Sequence, residues 1–180
     1  WAGGRMGRVD HDIRRDLPKL MDRIFKEISF GIGRKNPKPI EHPVFEDPRW
    51  NVHPGVRALK DLAYQQLGTV GGGNHYVDLL EEPATGDLWV AVHFGSRGFG
   101  YKTASGFLNL AKGKPFDAPT GGESMDHPPT LLRLDSELGQ AYHQAMQLAG
   151  RYAYAGRDVV VDQVLRILGA QATLSVHNHH

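Results

Sequence analysis

The chain has 180 residues, 40% of them hydrophobic and 23% charged, so it can form a buried core and lacks the composition of a disordered protein. Its 21 Lys and Arg against 20 Asp and Glu give a net charge of +1, so any nucleic-acid binding must come from a local patch. Cysteine is absent, which excludes disulfides, a cysteine-based zinc site and a thiol nucleophile within these residues, and favours a cytoplasmic location.

The first predicted elements, in chain order, are a loop over residues 1–9 and a helix from residue 10 to about 29. Apolar residues recur at helical spacing in the second stretch, and Asp16 and Pro18 suit the start of its main part. Residues 34–54 hold five prolines and are predicted to be loop. Residues 55–67 are predicted to form a second helix.

Two glycine loops, each next to a short strand, occupy the middle of the chain. Residues 71–73 run into a predicted strand that begins near Tyr76, and a second predicted strand over residues 88–92 ends at His93. The second glycine loop follows at residues 95–100. Residues 88–92 are also the longest purely apolar run, far below the about 20 residues of a membrane-spanning helix, so no membrane span is predicted.

The last third of the chain is predicted to be mainly helical. Residues 112–130 resemble a loop, residues 136–155 carry a continuous apolar helical stripe, and residues 158–168 continue it up to a stop at Gly169. Residues 172–176 are a predicted strand that leads into the polar cluster at residues 177–180. The elements together predict an α+β fold in which mixed sheets pack with helices.

Histidines lie at strand ends in glycine-rich or polar settings, namely at His75, His93 and in the cluster at residues 177–180. Imidazole is the commonest neutral metal ligand and suits Mn, Fe and Zn. The glycines of residues 71–73 allow backbone N–H groups to approach an anion, and Arg97 can bind phosphate with two parallel hydrogen bonds. These features favour a metal-dependent enzyme that acts on phosphate esters or a nucleotide.

Each of these features also has a plain structural explanation. A single histidine at a strand end is more often a hydrogen-bonded structural residue, the three glycines can form only a flexible turn, and an isolated arginine is usually a surface residue. Motifs of Rossmann enzymes, P-loop NTPases and zincins are missing from the sequence, so those three classes are disfavoured.

Four segments resemble, in the same order, segments of the RtcB family of RNA ligases. Residues 66–78 are similar to its Leu-Gly-Thr-x-Gly-x-Gly-Asn-His segment, and residues 93–100 to its His-x-Gly-Ser-Arg-Gly-x-Gly segment. Residues 142–157 resemble its long helix with the Ala-Met-x-x-Ala and Tyr-Ala-x-x-x-Arg patterns, and the terminal cluster resembles its His-Asn segment. Residues 1–65 resemble the family only weakly. The resemblance implies an RtcB-like ligase fold that is incomplete in this chain.

The resemblance also implies a GTP- and Mn(II)-dependent RNA ligase that acts in tRNA splicing or RNA repair. Such an enzyme joins RNA ends bearing a 2′,3′-cyclic phosphate or 3′-phosphate to ends bearing a 5′-hydroxyl. A histidine attacks GTP and becomes guanylylated, the guanylyl group passes to the RNA 3′-phosphate, and the 5′-hydroxyl then displaces GMP. The oligomeric state leaves no mark in the sequence.

Matching the motifs position by position assigns roles to individual residues. The implied metal ligands are His75 and His93, with either His177 or His180 as the third imidazole. Ser96 and Arg97 are implied to lie near a phosphate of the RNA. The implied GTP contacts are Asn74, His75, Tyr76, Val77, Asp78 and Asn178.

The sequence departs from the family pattern in two ways. The family has a cysteine metal ligand on the N-terminal side of the matched motifs, whereas this chain has no cysteine. Its guanylylated histidine lies well beyond the His-Asn segment, so we expect it beyond residue 180. We therefore expect residues 1–180 to be one segment of a larger catalytic domain, truncated at both ends and inactive alone. The alternatives are a metal-dependent phosphoesterase and a non-catalytic phosphate- or RNA-binding module.

Overall fold

A computed structural model describes residues 1–120 and 128–179 of the chain. The described residues form helices and one sheet, which confirms the predicted α+β class. The helices are α1 (Leu17–Glu27), α2 (Pro54–Ala58), α3 (Lys60–Gln66), α4 (Arg97–Ala111) and α5 (Glu137–Leu168). The strands are β1 (Gly3–Val9), β2 (Tyr76–Glu81), β3 (Leu88–His93) and β4 (Ala172–His179).

The four strands form a sheet in the order β2-β3-β1-β4, and every pairing in it is antiparallel. An isolated parallel bridge between Phe30 and Gly71 lies outside the strands. The prediction of a loop over residues 1–9 was wrong, because β1 is an inner strand with hydrogen-bonded partners on both edges. Its glycines fit crowded positions: a Cβ on Gly7 would lie 3.3 Å from the Cβ of Ala172.

The long helix α5 runs through the centre of the fold. The two predicted helical stretches are one continuous helix, which the hydroxyl of Ser136 caps by accepting a hydrogen bond from the backbone N–H of Gly139 at 3.0 Å. Gly169 ends the helix as predicted, with a φ of 64° in the left-handed region.

Each half of α5 belongs to a different hydrophobic cluster. The C-terminal half packs under one face of the sheet, where Val161 and Val164 join Val90 and Val92 in the core. The N-terminal half packs against α3, α4 and the segment before α2, in a cluster that includes Tyr152, Trp50 and Phe99. Because α5 is buried by both clusters, it links the sheet to the helical layer.

Helix α4 corrects the second predicted loop. The backbone becomes helical at Arg97, so Gly98 and Gly100 lie inside a helix and not in a glycine loop. A Cβ on Gly98 would lie 2.8 Å from Oε1 of Gln66, and a Cβ on Gly100 would collide with the side chain of Ser96. Close packing, and not loop flexibility, therefore explains both glycines.

The remaining elements have the predicted type, although the first helix begins at Leu17 and not at residue 10. Helix α1 is confirmed after a 3-10 turn over Arg14–Asp16, and the helix predicted at residues 55–67 is broken at Leu59 into α2 and α3. The predicted loop over residues 34–54 contains two further 3-10 turns, Pro43–Glu46 and Pro48–Asn51. Part of the loop predicted at residues 112–130 lies outside the described residues. Within the described ranges, no helix is long and apolar enough to cross a membrane.

Candidate metal and phosphate site

The two histidine motifs meet at one end of the sheet. Tyr76 at the start of β2 pairs with His93 at the end of β3, and their rings stack with centroids 5.5 Å apart. His75 directly precedes β2, and the centroid of its ring lies 6.2 Å from that of His93. A metal–imidazole nitrogen bond is about 2.1 Å long, so rings at this spacing can share one ion if both turn a nitrogen toward it.

Arg97 lies against the first glycine loop. Its Nη1 donates to Nδ1 of His75 at 3.2 Å, and its Nε donates to the hydroxyl of Thr69, also at 3.2 Å. A Cβ on Gly71, whose φ is +96°, would collide with the guanidinium. Arg97 itself has a φ of 52°, which is unusual for a residue other than glycine. The first glycine loop and Arg97, the first residue of α4, therefore pack closely against each other.

The pKa of His75 is lowered from its ordinary value of 6.5, chiefly by burial and then by the charge of Arg97 and of His93, while a backbone hydrogen bond at Val70 opposes the shift. The neutral ring is therefore favoured at pH 7, as metal binding requires. However, a neutral ring that accepts a hydrogen bond at Nδ1 carries its proton on Nε2. His75 can bind an ion only when the bond from Arg97 is released.

The other residues expected at the nucleotide divide between the two faces of the sheet. Asp78 shares the face of Tyr76 and is exposed, and Asn74 is exposed just before the strand. Val77 points to the opposite face and is 8% exposed in the core, so its side chain is not presented at this site. Ser96 is 5% exposed and lies at the start of α4.

Strand β4 brings Asn178, but not His177, to the same face as His93. Gly4 pairs with both His93 and Asn178, so the three residues share one row, across two strand spacings of about 4.8 Å each. His177 pairs with Arg5 in the next row and therefore points to the opposite face. There its ring stacks on Tyr154 at 4.2 Å. This arrangement does not place His177 with the other two histidines.

The described part of the chain supplies two neighbouring imidazoles and no group of three ligating side chains that could hold a metal ion. His180, the other candidate for the third imidazole, lies outside the described residues. The donor set of neutral imidazoles suits Mn(II) and several other divalent ions. At least one further ligand is required to complete such a site.

The sequence model of the family described as tRNA-splicing ligase RtcB matches residues 5–179 of this chain. The chain belongs to the RtcB family. The RtcB match begins near the start of β1, so it reaches well beyond residues 66–180, where the motif resemblance was confined.

Several curated RtcB proteins resemble the chain. The tRNA-splicing ligase RtcB of Pyrobaculum aerophilum is 25% identical over 89% of this chain and 42% of its own length. That of Thermococcus kodakarensis is 27% identical over the same two shares. RNA-splicing ligase RtcB homolog 1 of Entamoeba histolytica is 25% identical over 84% of this chain and 36% of its own length. The chain thus spans less than half of the length of these RtcB relatives.

Two further residues support the site of this RtcB chain. Both belong to the matched motifs, but neither was predicted to be a site residue. Thr69 holds Arg97, and the buried Arg157 of α5 donates to the carbonyl of Phe94 at 3.0 Å, directly after His93. The guanidinium of Arg157 also lies 5.8 Å from the ring centroid of Tyr154. The available signals for Arg157 were its place in the Tyr-Ala-x-x-x-Arg pattern and its charge within the apolar stripe of a helix, because arginine is rarely buried without partners.

Proposed function

We propose that the protein that carries this chain is an RNA ligase. It joins RNA ends bearing a 3′-phosphate or 2′,3′-cyclic phosphate to ends bearing a 5′-hydroxyl, in tRNA splicing or RNA repair. Membership of the RtcB family supports the ligase class. The observation that carries the proposal is the meeting of two imidazoles and one guanidinium, from His75, His93 and Arg97, at one end of the sheet.

In this proposal His75 and His93 hold Mn(II) together with a ligand outside the described residues. The bound ion would neutralise phosphate charge, and GTP would supply the guanylyl group. The neutral form of His75 that burial favours is the form that ligation needs. The remaining work of the chain is to bind and orient charged groups, which is the main requirement of phosphoryl transfer.

Arg97 is suited to hold a phosphate of the RNA. Its guanidinium has five N–H donors, and the bonds to His75 and Thr69 use two of them. Burial lowers the pKa of Arg97, but a guanidinium remains protonated in proteins, so its charge is available to an anion. Ser96 precedes it at the start of α4 and would lie near the same phosphate.

The nucleotide would lie along the outer face of the sheet. Asn74 and Asn178 offer amide groups to its phosphates, and Tyr76 and Asp78 present side chains on the same face. Val77 would take part only through its backbone, since its side chain is in the core. The guanylylated histidine is assigned to residues outside these 180, so the isolated chain is expected to form no covalent guanylate with GTP and Mn(II).

The proposal is tested by RNA joining with a full-length protein that carries these residues. His75→Ala and His93→Ala are expected to abolish joining of a 3′-phosphate RNA to a 5′-hydroxyl RNA, while His143→Ala, an exposed position on α5, leaves it intact. Equal activity of all three variants would contradict the proposal. Release of phosphate from the RNA ends without a joined product would favour a phosphoesterase instead.

A further inference from the structure

A groove of about 730 Å³ lies along α5, beside the segment that precedes α2. Its floor is one helical stripe of α5, and its walls are Trp1 and the segment around the two 3-10 turns before α2. The stripe consists of Gln147, Gly150, Arg151, Tyr154, Ala155 and Asp158. The groove is open to solvent, so it suits a segment of a chain molecule better than an enclosed small ligand.

Two guanidinium groups, from Arg49 in the wall and Arg151 in the floor, are held by a single carboxylate at one side of the groove. Asp47, whose side chain is 1% exposed, accepts from Arg49 at 2.7 Å and from Arg151 at 2.5 Å. Arg49 holds the pKa of Asp47 down at about 2, so the carboxylate stays charged. Two positive charges against one negative charge leave this side of the groove cationic. The side chain of Arg151 is 57% exposed, so it keeps N–H donors available to an anion.

The acidic residue at the other end of the groove does not cancel this charge. Asp158 lies 2.5 Å from the guanidinium of Arg5, which is mostly buried, and 3.7 Å from the ring of His177. Its charge is therefore already matched by a neighbouring cation. The groove as a whole retains the positive charge near Arg49 and Arg151.

The second wall is an aromatic ring that lies flat on the helix. A Cβ on Gly150 would lie 3.0 Å from the indole of Trp1, and the indole N–H donates to the carbonyl of Met146 at 2.5 Å. The helix thus holds one side of Trp1, yet the residue is 48% exposed. Tyr154 is less suited to stacking, because His177 covers its ring.

We propose that this groove binds one nucleotide of single-stranded RNA, with its base on Trp1 and its phosphate on Arg151. An aromatic platform beside a guanidinium is the usual arrangement for single-stranded nucleic acid. The carbonyl of Trp1 accepts from the backbone N–H of Ser96 at 3.0 Å, so the groove adjoins the start of α4, where Arg97 lies. The inference rests on the proposed function for the choice of RNA, and it assigns a binding position formed by residues other than the two histidines.

The first test measures binding of a short fluorescein-labelled single-stranded RNA by anisotropy over a range of salt concentrations. Arg151→Gln is expected to weaken binding and to reduce the slope of log K against log salt by about 0.7, the value for one phosphate contact on a single strand. Arg166→Gln is the matched control, because Arg166 is an exposed arginine further along α5. Equal slopes for the two variants would overturn the proposal.

The second test measures the fluorescence of Trp1 when RNA is added. RNA is expected to quench tryptophan fluorescence in the unmodified protein, and Trp1→Leu should remove that quenching and weaken RNA binding about tenfold, as expected for one lost base stack. Trp89 of β3, which is partly exposed, is replaced by Phe in both proteins. Trp50 is 1% exposed, so Trp1 is then the only exposed tryptophan of the described residues. Quenching that persists in Trp1→Leu on this background would overturn the proposal. So would quenching by GTP alone that depends on Arg151, since the occupant would then be a free nucleotide.

Both tests read RNA binding and not joining, so their result is separate from that of the ligase proposal. A protein that fails to join RNA but binds it through Arg151 would retain the groove and lose the ligase assignment. If the protein joins RNA and the Arg151→Gln variant binds RNA normally, the ligase assignment would stand and the proposal for the groove would be contradicted. Circular dichroism of each variant confirms that the fold is intact.

Discussion

Arg97 donates a hydrogen bond to Nδ1 of His75 at 3.2 Å, and this bond joins the two glycine motifs of the chain. It also couples the protonation of His75 to the position of the guanidinium. Burial lowers the pKa of His75 first, and the charge of Arg97 lowers it further. Replacing Arg97 with Gln is therefore expected to raise the pKa of His75 toward 6.5, measured by NMR titration of its ring protons. Arg166→Gln should leave it unchanged, and a lowered or unaltered pKa in Arg97→Gln would contradict the coupling.

The lowered pKa of His75 also determines the direction in which the stability of the fold changes with pH. Because the pKa of His75 is lower in the folded protein than in the unfolded chain, the unfolded chain binds more protons between the two values. The stabilisation from neutral His75 is fully present above pH 6.5 and is lost as the pH falls below it. Urea denaturation at a series of pH values should show a shallower loss of stability in Arg97→Gln than in the unmodified protein.

Gly71 is required both for its positive φ and for the space beside Arg97. Gly73 shares only the positive φ, so a change at Gly73 tests the backbone effect alone. Both have a positive φ, of 96° and 72°, but only at Gly71 would a Cβ meet Arg97. Gly73→Ala should lower the free energy of unfolding by about 1 kcal/mol through backbone strain alone. Gly71→Ala should cost more and also break the bond between Arg97 and His75. Equal losses in thermal denaturation would show that Arg97 does not occupy this space.

Asp47 should stabilise the fold at neutral pH. Its pKa is held at about 2 by the hydrogen bond from Arg49, well below the ordinary 3.8, so its contribution is present above pH 3.8 and lost as the pH falls toward 2. Asp47→Asn is expected to lower the free energy of unfolding by about 2 kcal/mol at pH 7. The exposed Asp22→Asn is the control, and a similar small effect of both changes in urea denaturation would contradict the prediction.

Removing the hydroxyl of Tyr152 tests one hydrogen bond within the helical core. It donates to the carbonyl of Ala63 at 2.7 Å in a fully buried setting, between α5 and α3. Tyr152→Phe keeps the ring but leaves that carbonyl without this donor, at a cost of about 1 kcal/mol in the free energy of unfolding. Tyr101→Phe removes a hydroxyl from a residue that is 68% exposed and should have almost no effect.

Periodicity and capping residues were sufficient for α5, where a long apolar stripe begins after Ser136 and ends at Gly169. They failed at β1 and α4 because a glycine can indicate either a flexible turn or a position that is too crowded for a side chain. In β1, Gly4 and Gly7 lie in an inner strand, and in α4, Gly98 and Gly100 lie where neighbouring side chains leave no room for a Cβ. The local sequence suggests a flexible loop at such positions, whereas tertiary packing determines whether they lie in a strand or a helix.

The candidate site was only partly predictable. The apolar runs predicted the strands next to His75 and His93, whereas the meeting of the two rings was implied only by the family resemblance. The contact between Arg97 and His75 depends on the unusual φ of Arg97, which no sequence pattern indicates. The placement of His177 depends on strand register, because one step along β4 moves a side chain to the other face of the sheet.

The central claim is that His75 and His93 hold one metal ion. It is tested most directly by Mn(II) binding to a full-length protein that carries this chain, measured by isothermal titration calorimetry for the unmodified protein and for His75→Ala, His93→Ala and His143→Ala. The account predicts that each of the first two changes abolishes the same binding event, while the exposed His143→Ala leaves it intact. Undiminished Mn(II) binding in either His75→Ala or His93→Ala would contradict it.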